Sequence, residues 1–353
     1  MSWDKIPTSI IGVKTAPEKG EAKPPRLITY RQAILEGLTT ALKKDKRVFL
    51  FGEGVDDPGG VFGTTLNLHK KFGKNRSFDT PIAENTLTGL GIGAALGGLR
   101  PILVHARTDF MLTGMDQLIN HAAKWKYMSG GKFSVPLVIR AIIGGGWGSA
   151  SQHSQPLQAL FAHTPGLKVV MPATASDAKG LLLASIAEDC PVVFIEHRWL
   201  YDRKGPVSKN PYVVPLGKGI IRKKGKDLTI AASSFMVPLS LEAADIAAKE
   251  KIDVEVIDLR TIKPLDYNLI QKSLEKTNRL VVADTGWKMC GISAEISALA
   301  ANKAFGYLKA PIARVALCDA PTPASPALEK AFYPSSKDLV EAIRKIYRYG
   351  RKK

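Results

Sequence analysis

The sequence predicts an α/β protein built from two doubly wound domains. Short apolar runs of strand length alternate with segments of helical periodicity along most of the 353 residues, which is typical of parallel sheets covered by helices. The apolar fraction is 45%, as in globular proteins with a real core. The length suits two domains, and the stretch 202–227, rich in Pro, Lys and Arg, interrupts the alternation between them.

The chain therefore divides into five predicted parts. Residues 1–26 mix Pro, Lys, Glu and Gly without periodicity and are expected to form a flexible arm. A first domain over 27–201, a linker over 202–227 and a second domain over 228–348 follow. Residues 349–353 form a basic tail, whose plainest interpretation is the solvated end of a helix.

The first domain is expected to open with a helix, because Thr29 and Gln32 have the spacing of a capping box and apolar residues then recur at helical spacing. The elements predicted after it are a strand at 47–51, a helix at 85–97, a strand at 101–105, a long helix at 109–128, strands at 137–143 and 168–171, a helix from 177 and a strand at 192–196. The second domain repeats the alternation, with strands predicted at 228–232, 254–258, 280–283 and 313–317 and helices between them.

The net charge of +18 favours acidic partners, so a basic nucleic-acid-binding module is one hypothesis. Basic residues are spread from Lys43 to Lys353 without a nucleic-acid motif that interleaves aromatics, so this hypothesis ranks low and no nucleic-acid partner is expected. Cys190, Cys290 and Cys318 form no CxxC pair, which indicates a reducing compartment. An apolar run of about 18 residues and a secretory signal are both absent, so a cytoplasmic protein that does not contact the membrane is expected.

The sharpest local feature is Asp79-Thr-Pro-Ile-Ala-Glu84, which leads into a helix rich in glycine. Glycine costs about 0.8–1 kcal/mol per helical residue relative to alanine. Several glycines in one helix therefore indicate that something large approaches its backbone, which makes Glu84 a candidate functional acid. The alternative is an acid at a helix start that the helix dipole favours.

A second candidate is His153, which follows the strand at 137–143 and a glycine-rich loop. Groups that bind ligands in open α/β sheets gather beyond the carboxyl ends of the strands, so His153 is a candidate catalytic residue. The alternative is a structural histidine. The loop Gly144-Gly-Gly-Trp-Gly lacks both GxGxxG and the Walker lysine, so it is only a weak signal for phosphate binding.

Together with these motifs, most of the chain resembles the β subunits of thiamine-diphosphate-dependent 2-oxoacid dehydrogenases, the first and decarboxylating component. The resemblance runs in order from Leu27 to Ile346 and identifies the family, not the substrate. It rests on segments 52–54, 59–62, 71–73, 79–84, 98–101, 109–110, 116–117, 120–124, 152–155, 161–170, 177–182 and 258–266.

The resemblance implies a fold and four site residues. The fold is a pyrimidine-binding domain followed by a transketolase C-terminal domain. The glutamate that matches Glu84 hydrogen-bonds the aminopyrimidine of the cofactor and promotes loss of the thiazolium proton. Phe110 matches an aromatic residue that packs on the pyrimidine, Ile82 an apolar wall of the same pocket, and His153 a histidine near the substrate and the lipoyl group.

The family binds the diphosphate and its Mg²⁺ through a Gly-Asp-Gly motif of the α subunit, and this sequence contains no Gly-Asp-Gly. The chain is therefore expected to be active only with an α subunit, as an α2β2 heterotetramer, with a lipoyl acyltransferase component as a further partner. A family K⁺ site made mostly of backbone carbonyls would fall at Leu137, Ser185, Ile186, Glu188 and Cys190. Glu188 and Cys190 depart from its usual Asp and Asn, and His105 departs from the Glu- or Met-containing stretch of many relatives.

The resemblance thus predicts a β subunit that helps to convert a 2-oxoacid to an acyl group on a lipoyl arm. The alternative is a split transketolase-like enzyme, which uses the same cofactor but passes its carbon fragment to a sugar or another carbonyl acceptor.

Overall fold

The computed structural model describes residues 26–350. The predicted flexible arm lies outside these residues except for Arg26, and the basic tail lies outside them beyond Gly350. By their contacts the described residues form two units. One holds the residues up to Ile143 together with Leu160–Leu216, and the other holds Gly144–Ala159 together with the residues from Gly217 onward.

Strands and helices alternate from Arg26 to Val207, as predicted. They are β1 (Arg26–Thr29), α1 (Tyr30–Lys44), β2 (Val48–Gly52), α2 (Leu68–Phe72), β3 (Ser77–Asp79), α3 (Glu84–Leu96), β4 (Arg100–Val104), α4 (Trp125–Met128), β5 (Val138–Ile143), α5 (Gln158–His163), β6 (Lys168–Val170), α6 (Ala175–Ala187), β7 (Val192–His197) and β8 (Lys204–Val207).

Six of these strands lie side by side in the first unit, in the order β6, β7, β5, β4, β2, β3, and all neighbours are parallel. β2, β4, β5 and β7 are buried along their whole length, which explains why their sequences are mostly apolar. The buried charges of β5 and β7, Arg140 and Glu196, pair with each other at 2.6 Å. The predicted capping box is present, since the Thr29 and Gln32 side chains each bond the other's backbone at the start of α1.

One helix differs from its prediction. The segment expected to be a long helix over 109–128 consists of a 3₁₀ turn (Phe110–Gly114), a π turn (Gln117–Ala122) and the short α4. Gly114 packs so closely on the first turn of α3 that a Cβ there would lie 2.9 Å from the Thr88 hydroxyl. The close approach to α3 and the glycine that it requires interrupt the regular helix.

The second unit is also an α/β sheet. From Gly217 onward its elements are β9 (Ile220–Lys223), β10 (Leu228–Ala232), α7 (Met236–Lys249), β11 (Val254–Asp258), β12 (Thr261–Lys263), α8 (Tyr267–Thr277), β13 (Leu280–Trp287), α9 (Ile292–Lys303), β14 (Ala313–Leu317), α10 (Pro326–Phe332) and α11 (Ser336–Arg348). Its strands run in the order β14, β13, β10, β11, β9, and only β9 is antiparallel to its neighbour.

The stretch 202–227, predicted to be a linker, contains two strands. β8 pairs antiparallel with β1, and β9 forms the edge of the second sheet. The short length of these strands and the prolines around them hid both from the sequence pattern. No helix within residues 26–350 is both long enough and apolar enough to cross a bilayer.

Candidate active site

Glu84 is the first residue of α3, directly after the loop that leaves β3. It is only 8% exposed, yet its carboxylate makes no hydrogen bond or ion pair with any residue from 26 to 350. The preceding residue, Ala83, has no side chain that could cap the helix. The carboxylate oxygens are not among the fully buried polar atoms that lack a partner, so they stay open to a donor that residues 26–350 do not supply.

A buried polar layer lies behind the first turn of α3. The Thr88 hydroxyl donates to the Glu84 carbonyl at 2.7 Å and lies 3.3 Å from Nε2 of His105. Nδ1 of His105 lies 3.5 Å from a carboxylate oxygen of Glu53, and neither of those two atoms has a hydrogen-bond partner within the described chain. His105 thus connects the ends of β2 and β4 to the start of α3.

The loops around Glu84 are tied to one another. The Asp79 carboxylate accepts hydrogen bonds from the backbone N–H groups of Gly54 (2.6 Å) and Val55 (3.3 Å). The segment after β2 and the segment that leads to Glu84 are therefore held as one piece at the carboxyl edge of the sheet, where open α/β sheets bind ligands.

Two apolar side chains lie on the segments next to Glu84. Ile82, two residues before Glu84, is 81% exposed, which is unusual for an isoleucine in a globular protein. Phe110 is half-buried and begins the 3₁₀ turn that packs on α3. One buried acceptor with apolar surface nearby can bind the edge and the face of a flat heterocycle.

Two glycines of α3, Gly91 and Gly93, have different surroundings. A Cβ on Gly91 would lie 3.0 Å from Leu137, so Gly91 allows the helix to approach its own sheet. Gly93 is exposed, and a Cβ there would meet no atom of the described chain within 4 Å. The prediction that something large approaches this backbone therefore applies to the Gly93 face and not to Gly91.

His153 is exposed and belongs to the second unit, although its segment, Gly144–Ala159, lies in the first half of the sequence. The loop before it contains five residues with positive φ. They are Gly144, Gly146, Trp147, Gly148 and Ala150. Two of them are not glycine, and such residues adopt this conformation only when their surroundings enforce it.

Three contacts of the second unit hold this segment. The backbone N–H of Gly146 donates to Oε1 of Glu329 at 2.5 Å, and the Ser151 hydroxyl donates to the Thr322 carbonyl at 3.1 Å. Nε2 of Gln158 donates to Oδ1 of Asp284 at 2.9 Å. Burial raises the pKa of the Asp284 carboxyl, and the hydrogen bond from Gln158 opposes the rise.

A cavity of about 410 Å³ opens beside the same segment in the second unit. Its walls combine the amides of Gln152 and Gln155, the indole of Trp287 and the carboxylate of Asp319. A larger cavity, of about 660 Å³, lies beside β14, α10 and α11 and is lined by none of the predicted site residues.

Comparisons with known proteins agree with these features. The profile for "Transketolase, pyrimidine binding domain" matches residues 26–204, and that for "Transketolase, C-terminal domain" matches residues 217–339. The mitochondrial pyruvate dehydrogenase E1 component subunit beta of Ascaris suum is 45% identical over 323 residues, 90% of this chain and 90% of its own. The chain belongs to the E1 β-subunit family.

Further relatives of the E1 β chain support the same family. The subunit beta of acetoin:2,6-dichlorophenolindophenol oxidoreductase from Cupriavidus necator is 43% identical over 336 residues, 92% of this chain and 99% of its own. Among solved structures, a split-gene transketolase in an inactive β4 tetramer has a TM-score of 0.76 at 21% identity and covers 92% of this chain and 99% of its own. A Leishmania mexicana transketolase has a TM-score of 0.69 at 14% identity, over 99% of this chain and 48% of its own.

The two transketolase structures establish the fold alone. The predicted family, the α/β fold class and the function as an E1 β subunit of a thiamine-diphosphate-dependent oxidoreductase are confirmed. The split transketolase alternative is not favoured, because the relatives at 42–45% identity are E1 and acetoin oxidoreductase β subunits.

Three of the carbonyl groups predicted to hold K⁺, those of Leu137, Ile186 and Glu188, already accept hydrogen bonds in the E1 β chain. The buried Arg100 guanidinium donates to the carbonyls of Ile186 (2.9 Å) and Glu188 (2.6 Å), and the Leu137 carbonyl accepts from the Val192 N–H. A K⁺ ion on the first two oxygens would share them with a like charge.

The side chains of this region are also engaged. The Glu188 carboxylate pairs with Lys168 at 2.8 Å, and Cys190 is buried, which raises its pKa to about 12. The Ser185 hydroxyl donates to the Leu181 carbonyl. Within the described part of the chain, no three His, Cys, Asp or Glu side chains come together as a metal site would require.

Several residues of the site have no local sequence signal. Glu53 and Thr88 contribute to the layer behind Glu84, and Glu329 and Asp284 hold the His153 segment from positions more than 100 residues later. Glu53 was missed as well, although it lies in a segment that carries the family resemblance and directly follows a predicted strand, which is the one signal that could have found it.

Proposed function

We propose that this E1 β chain works as half of an α2β2 enzyme that decarboxylates a 2-oxoacid with thiamine diphosphate and passes the acyl group to a lipoyl arm. The observation that carries the proposal is Glu84, a mostly buried residue at a helix start whose carboxylate has no partner within residues 26–350. The exposed Ile82 and the half-buried Phe110 support it as apolar surface beside that acceptor.

The residues around Glu84 fit the aminopyrimidine of the cofactor. When bound, thiamine diphosphate supplies the electron sink that decarboxylation needs. In this proposal Glu84 would hold or share a proton at the ring nitrogen of the pyrimidine, since a carboxylate forms a strong, charge-assisted hydrogen bond there. Phe110 would pack on the ring face, and Ile82 would keep water from its edge.

The chain carries only this half of the site. The sequence contains no Gly-Asp-Gly, so the Mg²⁺-diphosphate is assigned to an α subunit. The exposed, open Gly93 face of α3 supports a partner that approaches this helix.

His153 is assigned to the later step. An imidazole can donate or accept a proton at its ring nitrogens, and so can act on a substrate adduct or on the lipoyl acceptor. Its exposure and its place on a loop beside a cavity support contact with a group that arrives from another protein, for which a lipoyl acyltransferase component is proposed.

The last two predictions concern a K⁺ ion and the cellular compartment. The carbonyls of Ile186 and Glu188 fit a K⁺ ion poorly while Arg100 donates to both, so no step of the proposal depends on it. The expected cytoplasmic location also stays a prediction, because one relative is a mitochondrial protein and another comes from a bacterium.

The half-site proposal has a direct test. The isolated chain should fold yet show no decarboxylation with thiamine diphosphate and Mg²⁺, whereas adding a matching α subunit should restore turnover. Release of CO₂ is the measurement, with mass spectrometry to show that the isolated preparation contains no α subunit. Robust turnover by the chain alone would contradict the half-site.

The substrate is best found with a panel assayed on the assembled enzyme. Pyruvate and acetoin, each with an artificial electron acceptor, test the substrates that the relatives' names suggest, and branched 2-oxoacids widen the panel. Transfer to a lipoyl domain then separates the main proposal from the carbonyl-acceptor alternative.

A further inference from the structure

The loop that carries His153 is anchored to the second unit on both sides of the histidine. Seven residues before it, Gly146 donates its backbone N–H to the Glu329 carboxylate. Five residues after it, the fully buried Gln158 donates to the Asp284 carboxylate. His153 itself is exposed, and these two anchors, together with the Ser151–Thr322 hydrogen bond, hold the backbone on either side of it.

The Glu329 anchor joins this loop to α10. Glu329 lies on α10, is 9% exposed, and is among the few acidic side chains that are buried in the second unit. A Cβ on residue 145 would lie under 3.0 Å from both Oε1 of Glu329 and the hydroxyl of Tyr333. Residue 145 must therefore be glycine for the loop to approach α10, and any larger side chain would push the two apart.

The Asp284 anchor is part of the frame of the second sheet. Asp284 lies in β13, is 2% exposed and also accepts the backbone N–H of Gly286 at 3.1 Å. A Cβ on Gly291, at the start of α9, would lie 3.4 Å from its second oxygen. Removing Asp284 would disturb β13 and α9 as well as the loop, so Glu329 is the anchor that can be tested cleanly.

We propose that Glu329 is a positioning residue for His153. The proposal rests on the function assigned to His153 above. The loop between Gly144 and Ala150 contains three glycines with positive φ and would sample many conformations if it were not held. A carboxylate that accepts a backbone N–H forms a strong, charge-assisted hydrogen bond. By holding Gly146, Glu329 limits where the imidazole can lie, and misplacing a reacting group by about 1 Å can cost about 100-fold in rate.

A double-mutant cycle on the assembled enzyme tests the proposal. His153→Ala identifies the assay, lipoyl-dependent or dye-dependent, in which the histidine matters. In that assay Glu329→Ala should lower turnover by about 10- to 100-fold, and the double variant should be no slower than His153→Ala, because residues that act through one another are not additive. Glu329→Gln keeps an acceptor oxygen and should recover most of the rate. Glu242→Ala, an exposed acid of the same unit, should match the wild type.

A readout besides activity reports on the loop directly. Hydrogen exchange of the backbone over 144–152 should be faster in Glu329→Ala and in Gly145→Ala, and close to wild type in Glu329→Gln. Losses that multiply in the double variant would overturn the proposal, as would a Glu329→Ala enzyme with a mobile loop and a normal rate. If His153→Ala itself loses no activity in either assay, the failure lies in the proposed function, and Glu329 then has nothing to position.

Discussion

The two residues predicted to do chemistry are held in opposite ways. Glu84 is a mostly buried acid on the first turn of a regular helix. Glu53, Asp79 and His105 lie at the carboxyl ends of three neighbouring strands of the same sheet. His153 is an exposed imidazole on a loop of unusual backbone conformation, and its anchors lie more than 100 residues away in sequence.

The difference concerns how each side chain obtains its position. The position of Glu84 is set mostly by the local backbone, because helix α3 begins at that residue and the Thr88 hydroxyl bonds its carbonyl one turn later. For His153 the local backbone would allow many positions, and tertiary contacts select among them. A change at Glu84 should therefore act on chemistry, whereas a change near His153 should act first on geometry.

The largest expected effect is that of Glu84→Gln. The amide can still hydrogen-bond but cannot exchange a proton, so turnover of the assembled enzyme should fall by about 10²–10⁴-fold, while assembly stays intact. Glu84→Ala should be at least as slow. Glu295→Gln, an exposed acid in the first turn of α9, is the matched control and should have no effect. Near-normal rates of Glu84→Gln at saturating cofactor would leave Glu84 as a helix-start acid only.

The next effect is that of His153→Ala. It should lower acyl transfer to a lipoyl domain by about 100-fold and should lower dye-dependent decarboxylation less, since the histidine is assigned to the later step. Both rates are measured on one preparation, so each is the other's control. An equal fall in both would move His153 to substrate binding or decarboxylation, and no fall in either would make it structural.

A third prediction contrasts a buried imidazole with that exposed one. His197 ends β7, and burial together with the nearby Arg107 lowers its pKa from 6.5 to about 3. The folded state thus keeps His197 neutral while the unfolded state binds a proton below 6.5, so stability is complete above that pH and is lost as the pH falls. From pH 7 to pH 5 this removes about 2 kcal/mol from the free energy of unfolding.

Urea unfolding of the purified chain at the two pH values measures this loss. His197→Asn can still accept the Trp199 N–H that the imidazole accepts, and it should be less stable overall but should lose about 2 kcal/mol less between pH 7 and pH 5. A variant with the same pH dependence as the wild type would show that His197 is not the group responsible.

The smallest effects concern the two glycines of α3. Gly91→Ala should destabilise the purified chain by about 1 kcal/mol or more, because the new methyl meets Leu137. Gly93→Ala should stabilise it by about 0.5–1 kcal/mol, because alanine favours the helix and the space is open. The same Gly93→Ala change should weaken binding of an α subunit if that face is the one approached. Denaturation midpoints and a binding titration together decide both points.

Much of the fold was predictable because it follows from short-range patterns. Strands β2, β4, β10, β11 and β14 lie within a residue of the predicted positions, since each is a short, mostly apolar run. The start of α1 was predictable from Thr29 and Gln32, whose side chains bond across one turn. The long helix at 109–128 was not, because Gly114 meets α3 from a distant part of the sequence.

The same division holds for the site. By itself the sequence determined the α/β class, the family, and the acid at the start of a glycine-rich helix, because composition, periodicity and motif are properties of neighbouring residues. Only the tertiary structure decided that Glu84 is mostly buried and has no side-chain partner among residues 26–350, that His105 joins Glu53 to Thr88, and that Glu329 holds the His153 loop. These are distances between atoms that the chain brings together only by folding, so no local pattern records them.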